Sequence, residues 1–366
     1  EQSCRGAPGS VPRLWRRPIR AACGAVRSIL FGTASRDRYL ESGRTLPGGG
    51  VLNMAYHWAA AGKAFLLQTR IGSSDQELFV PFLERNGIPH LPASLVAPGE
   101  SSSIDIRIGE DRQPHMDNYI DGVWEVVHCT TEELASLAAA THWLITTPPD
   151  EAGDPVLRRH ADALASGKPR WIGYLSTTGV YGDRAGGEVD EATLPAPGQA
   201  RSQRRLAAEE AWRAARPAET ALDLCRVGGI YGPGRAPFAE LRAGVARSVV
   251  KPGHSFSRIH RDDIAHAVMA AITNPPVPSC RVLNFVDDEP AASADVMAEA
   301  ARLLGMAPPR VIPFEEARAS MSPMALSFWA ENRRVANAAT KAALGIEWRY
   351  PSYREGLAAS LAEERR

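Results

Sequence analysis

The feature that most constrains this chain is an alternation. Short apolar runs are followed repeatedly by segments with helical start and stop signals. Ser28–Phe31, Ala64–Thr69, Trp143–Thr146, Trp171–Leu175, Thr220–Arg226 and Arg281–Val286 are predicted strands, and Ser101–Ile108 alternates as a strand does. Between and after them, helices are predicted at Asn53–Ala61, Gln76–Arg85, Asp154–Ala165, Gln199–Ala215, Arg261–Thr273, Ser293–Leu304, Asn337–Leu344 and Tyr353–Glu364. Thr130 and Glu133 form a capping box that opens a further helix through Ala140. Asn86-Gly87 supplies a helix stop. Strands joined by helical crossovers lie parallel and are covered on both faces, so the chain is predicted to be α/β. It carries no internal repeat.

Composition narrows the function. The chain has 366 residues, with Lys+Arg 42 and Asp+Glu 42, so its formal net charge is zero. That balance lacks the one-sided field of a dedicated nucleic-acid binder or a polybasic membrane protein. No apolar run of about 18 residues is present, so no transmembrane helix is expected. The five cysteines are scattered without a Cys-x-x-Cys pair. This favours free thiols in a reducing, cytoplasmic setting and no metal site. Residues 1–27 are rich in arginine and poor in acids, with Pro8, Pro12 and Pro18. They are expected to be a disordered extension, with a transit-like leader as the alternative.

Residues 28–135 carry Gly32-Thr33-Ala34-Ser35-Arg36-Asp37, Leu46-Pro47-Gly48-Gly49-Gly50, Asn53, Ala59-Ala60-Ala61-Gly62 and Arg70-Ile71-Gly72-Ser73-Ser74-Asp75. In order and spacing this segment resembles the N-terminal half of PfkB (ribokinase-like) carbohydrate kinases. The resemblance implies that Asp37, Gly49 and Asn53 contact a sugar. A carboxylate accepts from hydroxyls, a glycine turn lets backbone approach, and an amide offers donor and acceptor together. Val51 stands where that family usually has another glycine. The family's Gly-Ala-Gly-Asp phosphoryl-transfer segment has only one lookalike, Glu151-Ala152-Gly153-Asp154-Pro155, in which Asp154 reads as a helix N-cap.

Residues 141–358 carry Ser176-Thr177-Thr178-Gly179-Val180-Tyr181-Gly182, Arg205-Leu206-Ala207-Ala208-Glu209, Arg226-Val227-Gly228-Gly229-Ile230-Tyr231-Gly232-Pro233-Gly234-Arg235 and Arg258-Ile259-His260-Arg261-Asp262-Asp263. Asn284-Phe285-Val286-Asp287-Asp288-Glu289-Pro290 continues the match. This segment resembles the later part of the extended or atypical short-chain dehydrogenase/reductases, the NAD-dependent epimerase/dehydratase group. The resemblance implies that Thr177 orients a substrate oxygen, and that Thr146, Thr147, Arg226 and Tyr231 contact NAD or NADP. Arg201 and Arg205 stand where the family has its Tyr-x-x-x-Lys pair, and an arginine remains charged near neutral pH. Tyr181 is a candidate substitute acid, although an aromatic in such a turn usually packs. Arg258 and Arg235 are candidates for an anionic substrate group. His260 is a candidate substrate contact, with a plain helix-start role as the alternative.

A Rossmann site needs a strand, Gly-x-Gly-x-x-Gly, and a helix. No contiguous run of that kind occurs. The expected architecture is therefore a truncated Rossmann-like parallel sheet lacking its first βαβ unit, residues 141–366, fused to a partial ribokinase-like segment. Three functions follow. The first is an NAD(P)-dependent oxidoreductase or epimerase impaired by the missing loop and the missing Tyr-x-x-x-Lys pair. The others are a sugar or nucleoside kinase remnant using ATP and Mg, and a non-catalytic fusion product. The expected partner is a small sugar-like or nucleotide-sugar-like molecule, with a homodimer possible through unpaired sheet edges.

Overall fold

The computed structural model describes residues 28–40, 43–90, 95–108, 114–120, 122–123, 136–233, 235–321 and 323–364. The arginine-rich extension and the Thr130 capping box lie outside them, as does most of the expected junction.

One six-stranded sheet organises the chain. Its strands are β1 (Ser28–Phe31), β2 (Leu66–Gln68), β3 (His142–Ile145), β4 (Trp171–Thr177), β5 (Ala221–Val227) and β6 (Cys280–Phe285). Their order is β6-β5-β4-β3-β1-β2, and every pairing is parallel. Ile29 pairs with Leu66 on one side and Trp143 on the other. Each strand is largely buried, as a sheet covered on both faces requires.

The two faces have separate cores because neighbouring residues along a strand point opposite ways. Leu30, Leu67, Leu144 and Cys225 pack on one face with Trp58 of helix α1 (Gly50–Ala60), Phe79 of α2 (Gln76–Arg85) and Val268 of α5 (Arg261–Thr273). Ile29, Phe31, Trp143, Ile145, Tyr174 and Leu224 pack on the other with Leu164 of α3 (Pro155–Gly167) and Trp212 of α4 (Ala200–Ala215). In α1 the buried residues Val51, Leu52, Met54, Ala55 and Trp58 form one helical stripe. Asp154 caps α3 by accepting from the Val156 and Leu157 N–H groups, with Pro155 at the first helical position.

The sheet corrects one sequence expectation. β1, α1 and β2 form a βαβ unit that pairs directly with β3, so the later segment does not lack its first strands. Residues before and after the expected junction share one sheet. The unit was hidden because a long excursion interrupts it. Between β1 and α1 the chain makes the antiparallel pair Ser35–Tyr39 and Arg44–Gly48. Ser102–Ile108 and Pro114–Ile120, from between β2 and β3, extend that pair to a separate four-stranded sheet.

Segments that follow β5 build a second body. Tyr231, Phe238, Leu241, Met297, Tyr353, Leu357 and Leu361 form its buried core.

Candidate functional site

In this sheet the chain reverses direction at β1. It crosses through α1 to β2 on one side, and the next main-sheet strand, β3, pairs on the other side. The crevice beyond the C-terminal ends of β1 and β3 is therefore the topological switch point, where open α/β sheets bind ligands.

The crevice is lined by glycines that are distant in sequence. A Cβ on Gly32 would stand 2.1 Å from Thr146 Oγ1 and 2.7 Å from Val51 Cβ. Gly49 caps α1 with φ 93°, and a Cβ there would lie 2.3 Å from the Thr33 carbonyl oxygen. A Cβ on Gly50 would be 3.5 Å from Thr146 Cβ. The excursion thus leaves at Gly32 and returns to the same spot at Gly49. No side chain caps the α1 N-terminus, so the first N–H groups of α1 have no side-chain acceptor there. Thr146 is fixed by donating its hydroxyl to the Phe31 carbonyl at 2.9 Å. Thr69, just after β2, accepts from the Ala34 N–H at 3.1 Å.

Arg205 of α4 reaches the next part of the same edge. Its Nη1 donates to the Thr147 carbonyl at 3.2 Å, the Tyr174 hydroxyl oxygen at 3.0 Å and the Leu175 carbonyl at 3.0 Å. Burial pushes the Tyr174 phenol up to about 12, so it stays protonated. The Thr147 hydroxyl is buried without a hydrogen-bond partner. Thr177, two residues beyond Leu175, accepts from the Gly179 N–H at 3.1 Å, which leaves its own O–H available as a donor. Arg201, one turn earlier on α4, stacks over the Phe328 ring at 4.1 Å.

Other expected site residues are held elsewhere. Arg226 forms a buried bidentate pair with Glu209, at 3.2 and 2.8 Å. Glu209 also accepts from Ser176 Oγ at 2.5 Å. The Tyr181 ring lies 4.7 Å from the Arg226 guanidinium, and its hydroxyl donates to Asn284 Oδ1 at 2.8 Å. Burial raises the Tyr181 phenol above its ordinary value. Both side chains are buried. In the second body the Tyr231 hydroxyl donates to the Ser352 carbonyl, and Arg258 donates to the Phe256 and Ala291 carbonyls. His260 is the N-cap of α5, accepting from the Asp262 N–H at 3.2 Å, and burial lowers it to about 4.

Asp37 is in the accessory four-stranded sheet. Its carboxyl fills the space that a side chain on Gly48 would need, and it accepts from Ser35 Oγ at 2.7 Å. Burial raises its pKa, while Ser35 and the nearby Arg235 oppose the rise. Asn53 is exposed on the first turn of α1. Gly49, Thr146, Thr147, Thr177 and Arg205 are thus brought to one edge. Gly32 and Gly50 join them, although the sequence motif did not reveal them. Their only signal was position, with one directly after a strand and the other opening an amphipathic helix.

No family model matches the chain. A functionally unknown conserved protein from Silicibacter pomeroyi, solved as a structure, is 33% identical, with a TM-score of 0.66 over 91% of this chain and 100% of that one. This chain belongs to the same family as that protein. Protein YeeZ of Escherichia coli is 29% identical over 206 residues, 54% of this chain and 72% of its own. A 3-diazoavenalumate denitrifying reductase from Streptomyces is 32% identical over 174 residues, 44% of this chain and 54% of that protein. The structure of dTDP-glucose 4,6-dehydratase from Bacillus anthracis in complex with NAD shares the fold, with a TM-score of 0.59 at 12% identity over 93% of this chain and 97% of that one. The fold is the Rossmann fold of NAD-dependent epimerase/dehydratase proteins. β1, the start of the kinase-like segment, is an interior strand of this sheet. The kinase resemblance of residues 28–135, with its ATP and Mg, is not supported.

Proposed function

We propose that the chain binds NAD or NADP in the switch-point crevice and acts as an oxidoreductase or epimerase on a small polar substrate. The observation that carries this is the divided glycine turn: Gly32 against Thr146, and Gly49 against Thr33, at the uncapped start of α1. Such a turn admits a pyrophosphate close to backbone, where the helix N-terminus favours negative charge. The impairment expected from a missing glycine loop therefore loses its first ground.

When bound, the dinucleotide would accept or deliver a hydride. The chain's own residues do the rest. Gly32 and Gly49 let the turn close against Thr146 and Thr33, and the N–H groups that start α1 would face the phosphates. Arg205, tied to the Thr147 carbonyl, occupies the position from which the family's lysine holds the nicotinamide ribose. Thr177 presents an O–H donor to a substrate oxygen. Arg201 carries no transferable proton near neutral pH, so proton movement at the substrate falls to Thr177 and solvent. That arrangement suits slow chemistry.

Titrating the purified chain with NADH and NADPH, followed by nicotinamide fluorescence, tests the reading. Saturable binding that Gly32→Ala weakens supports it. No binding at millimolar cofactor overturns it.

A further inference from the structure

In a dinucleotide site of the Rossmann kind, a residue at the end of the second strand reaches the adenosine ribose. An acid there meets a 2′-hydroxyl, and an arginine accommodates a 2′-phosphate. In this chain that place falls on Gln68, which ends β2, and on Thr69 and Arg70, which follow it. None of them is an acid, and they are only 5, 1 and 3% exposed.

The excursion covers them. As the chain leaves β1, the Gly32 N–H donates to the Gln68 carbonyl at 3.4 Å, and the Ala34 N–H donates to Thr69 Oγ1 at 3.1 Å. Ala34 is itself fully buried. Arg70 turns back on its own backbone, its Nη1 donating to the Thr69 carbonyl at 2.9 Å. The segment before the third accessory strand closes over the next two residues. Ile71–Gly72 pairs with Val96–Ala97, and a Cβ on Gly72 would stand 2.5 Å from Glu100 Cα. Arg36, a cation of the excursion, is paired with Asp75 at 3.1 Å and Glu100 at 2.7 Å, so two carboxylates already answer its charge.

The start of α1 is open by contrast, with Gly50 and Asn53 exposed. The crevice is thus accessible where phosphates would lie and sealed where an adenosine ribose would be gripped. We propose that it recognises its nucleotide through the phosphates and the nicotinamide half alone. It then does not distinguish NADPH from NADH, and it accepts reduced nicotinamide mononucleotide, which has no adenosine. The inference rests on the cofactor reading above. A 2′-phosphate that met a free guanidinium would gain a charge-assisted bond; here it stays in water and gains none.

Fluorescence titration of the full chain with NADH, NADPH and reduced nicotinamide mononucleotide tests it. The two dinucleotides bind within about threefold of each other, and the mononucleotide within about tenfold of NADH. Arg70→Ala leaves the ratio of NADH to NADPH affinity unchanged, whereas an arginine that held the 2′-phosphate would give NADPH a lead that the variant loses. The unaltered chain decides the matter even if that variant fails to fold. A wider gap between NADH and NADPH in either direction, a ratio that shifts in folded Arg70→Ala, or a mononucleotide that fails to bind while NADH binds overturns the inference and leaves the cofactor reading standing. Binding of none of the three overturns both.

Discussion

Thr146 Oγ1 occupies the space next to Gly32, 2.1 Å from where a Cβ on that glycine would stand. The hydroxyl cannot retreat freely, because it donates to the Phe31 carbonyl at 2.9 Å. Val51 Cβ closes the other side at 2.7 Å. Gly32→Ala therefore pushes β3 and α1 apart at the crevice. We expect at least a tenfold loss of NADPH affinity and a destabilisation of about 1–3 kcal/mol, as for an overpacked core site. Fluorescence titration and urea unfolding read the two effects. Gly32→Ala combined with Thr146→Ala should regain much of the stability, since the hydroxyl is the nearest obstacle.

Arg205 holds three oxygens with one nitrogen, joining the end of β3 to β4. Arg205→Ala leaves the buried Tyr174 hydroxyl without its cation and should cost about 1–3 kcal/mol in urea unfolding. Arg205→Lys restores a charge but not the fork, so it should recover stability only in part. If the site holds a nicotinamide ribose, NADPH affinity falls in Arg205→Ala and returns in Arg205→Lys. A structural role alone would move stability and leave affinity unchanged.

The alternation of apolar runs and helices was legible enough to place all six main-sheet strands within a few residues, because buried parallel strands must be apolar throughout. Gln76–Arg85 and Arg261–Thr273 match their predicted bounds for a related reason: each has a clear start or stop signal. What the sequence hid was that Ser28–Phe31 and His142–Ile145 are neighbours. A motif search needs its glycines in one run, and here the accessory strands separate Gly32 from Gly49. The setting of Arg226 was hidden for a different reason. Its partner Glu209 sits on α4, and only folding shows that a charged residue on a predicted helix faces inward.

Glu209 anchors that interior. It accepts from Arg226 and Ser176, with its side chain 1% exposed. Glu209→Gln removes the negative charge and leaves Arg226 buried without a counter-ion. Breaking a buried pair in this way costs about 3–5 kcal/mol. The same variant carrying Arg226→Met replaces both charges with matter of similar volume, and should recover most of the loss. Urea midpoints across the four proteins give the coupling directly.

Stability should peak near pH 6.5, from two opposed titrations. Burial lowers His254 and His260 to about 4, so an unfolded chain takes up protons below 6.5 that the folded chain refuses. Folding is therefore weakened as pH falls from 6.5 towards 4. Asp287 works the other way. Its folded value of about 8 lies above the ordinary 3.8, so the folded chain keeps a proton that the unfolded chain has lost. Its contribution is complete below 3.8 and disappears as pH rises through 8. Between pH 6.5 and 8 Asp287 alone among these three changes the balance, by up to about 1.4 kcal/mol per pH unit. Urea unfolding at pH 6.5 and pH 8.5 should show the unaltered chain losing stability relative to Asp287→Asn, which has no proton to lose. Parallel curves for the two proteins would show that Asp287 ionises normally in the folded chain.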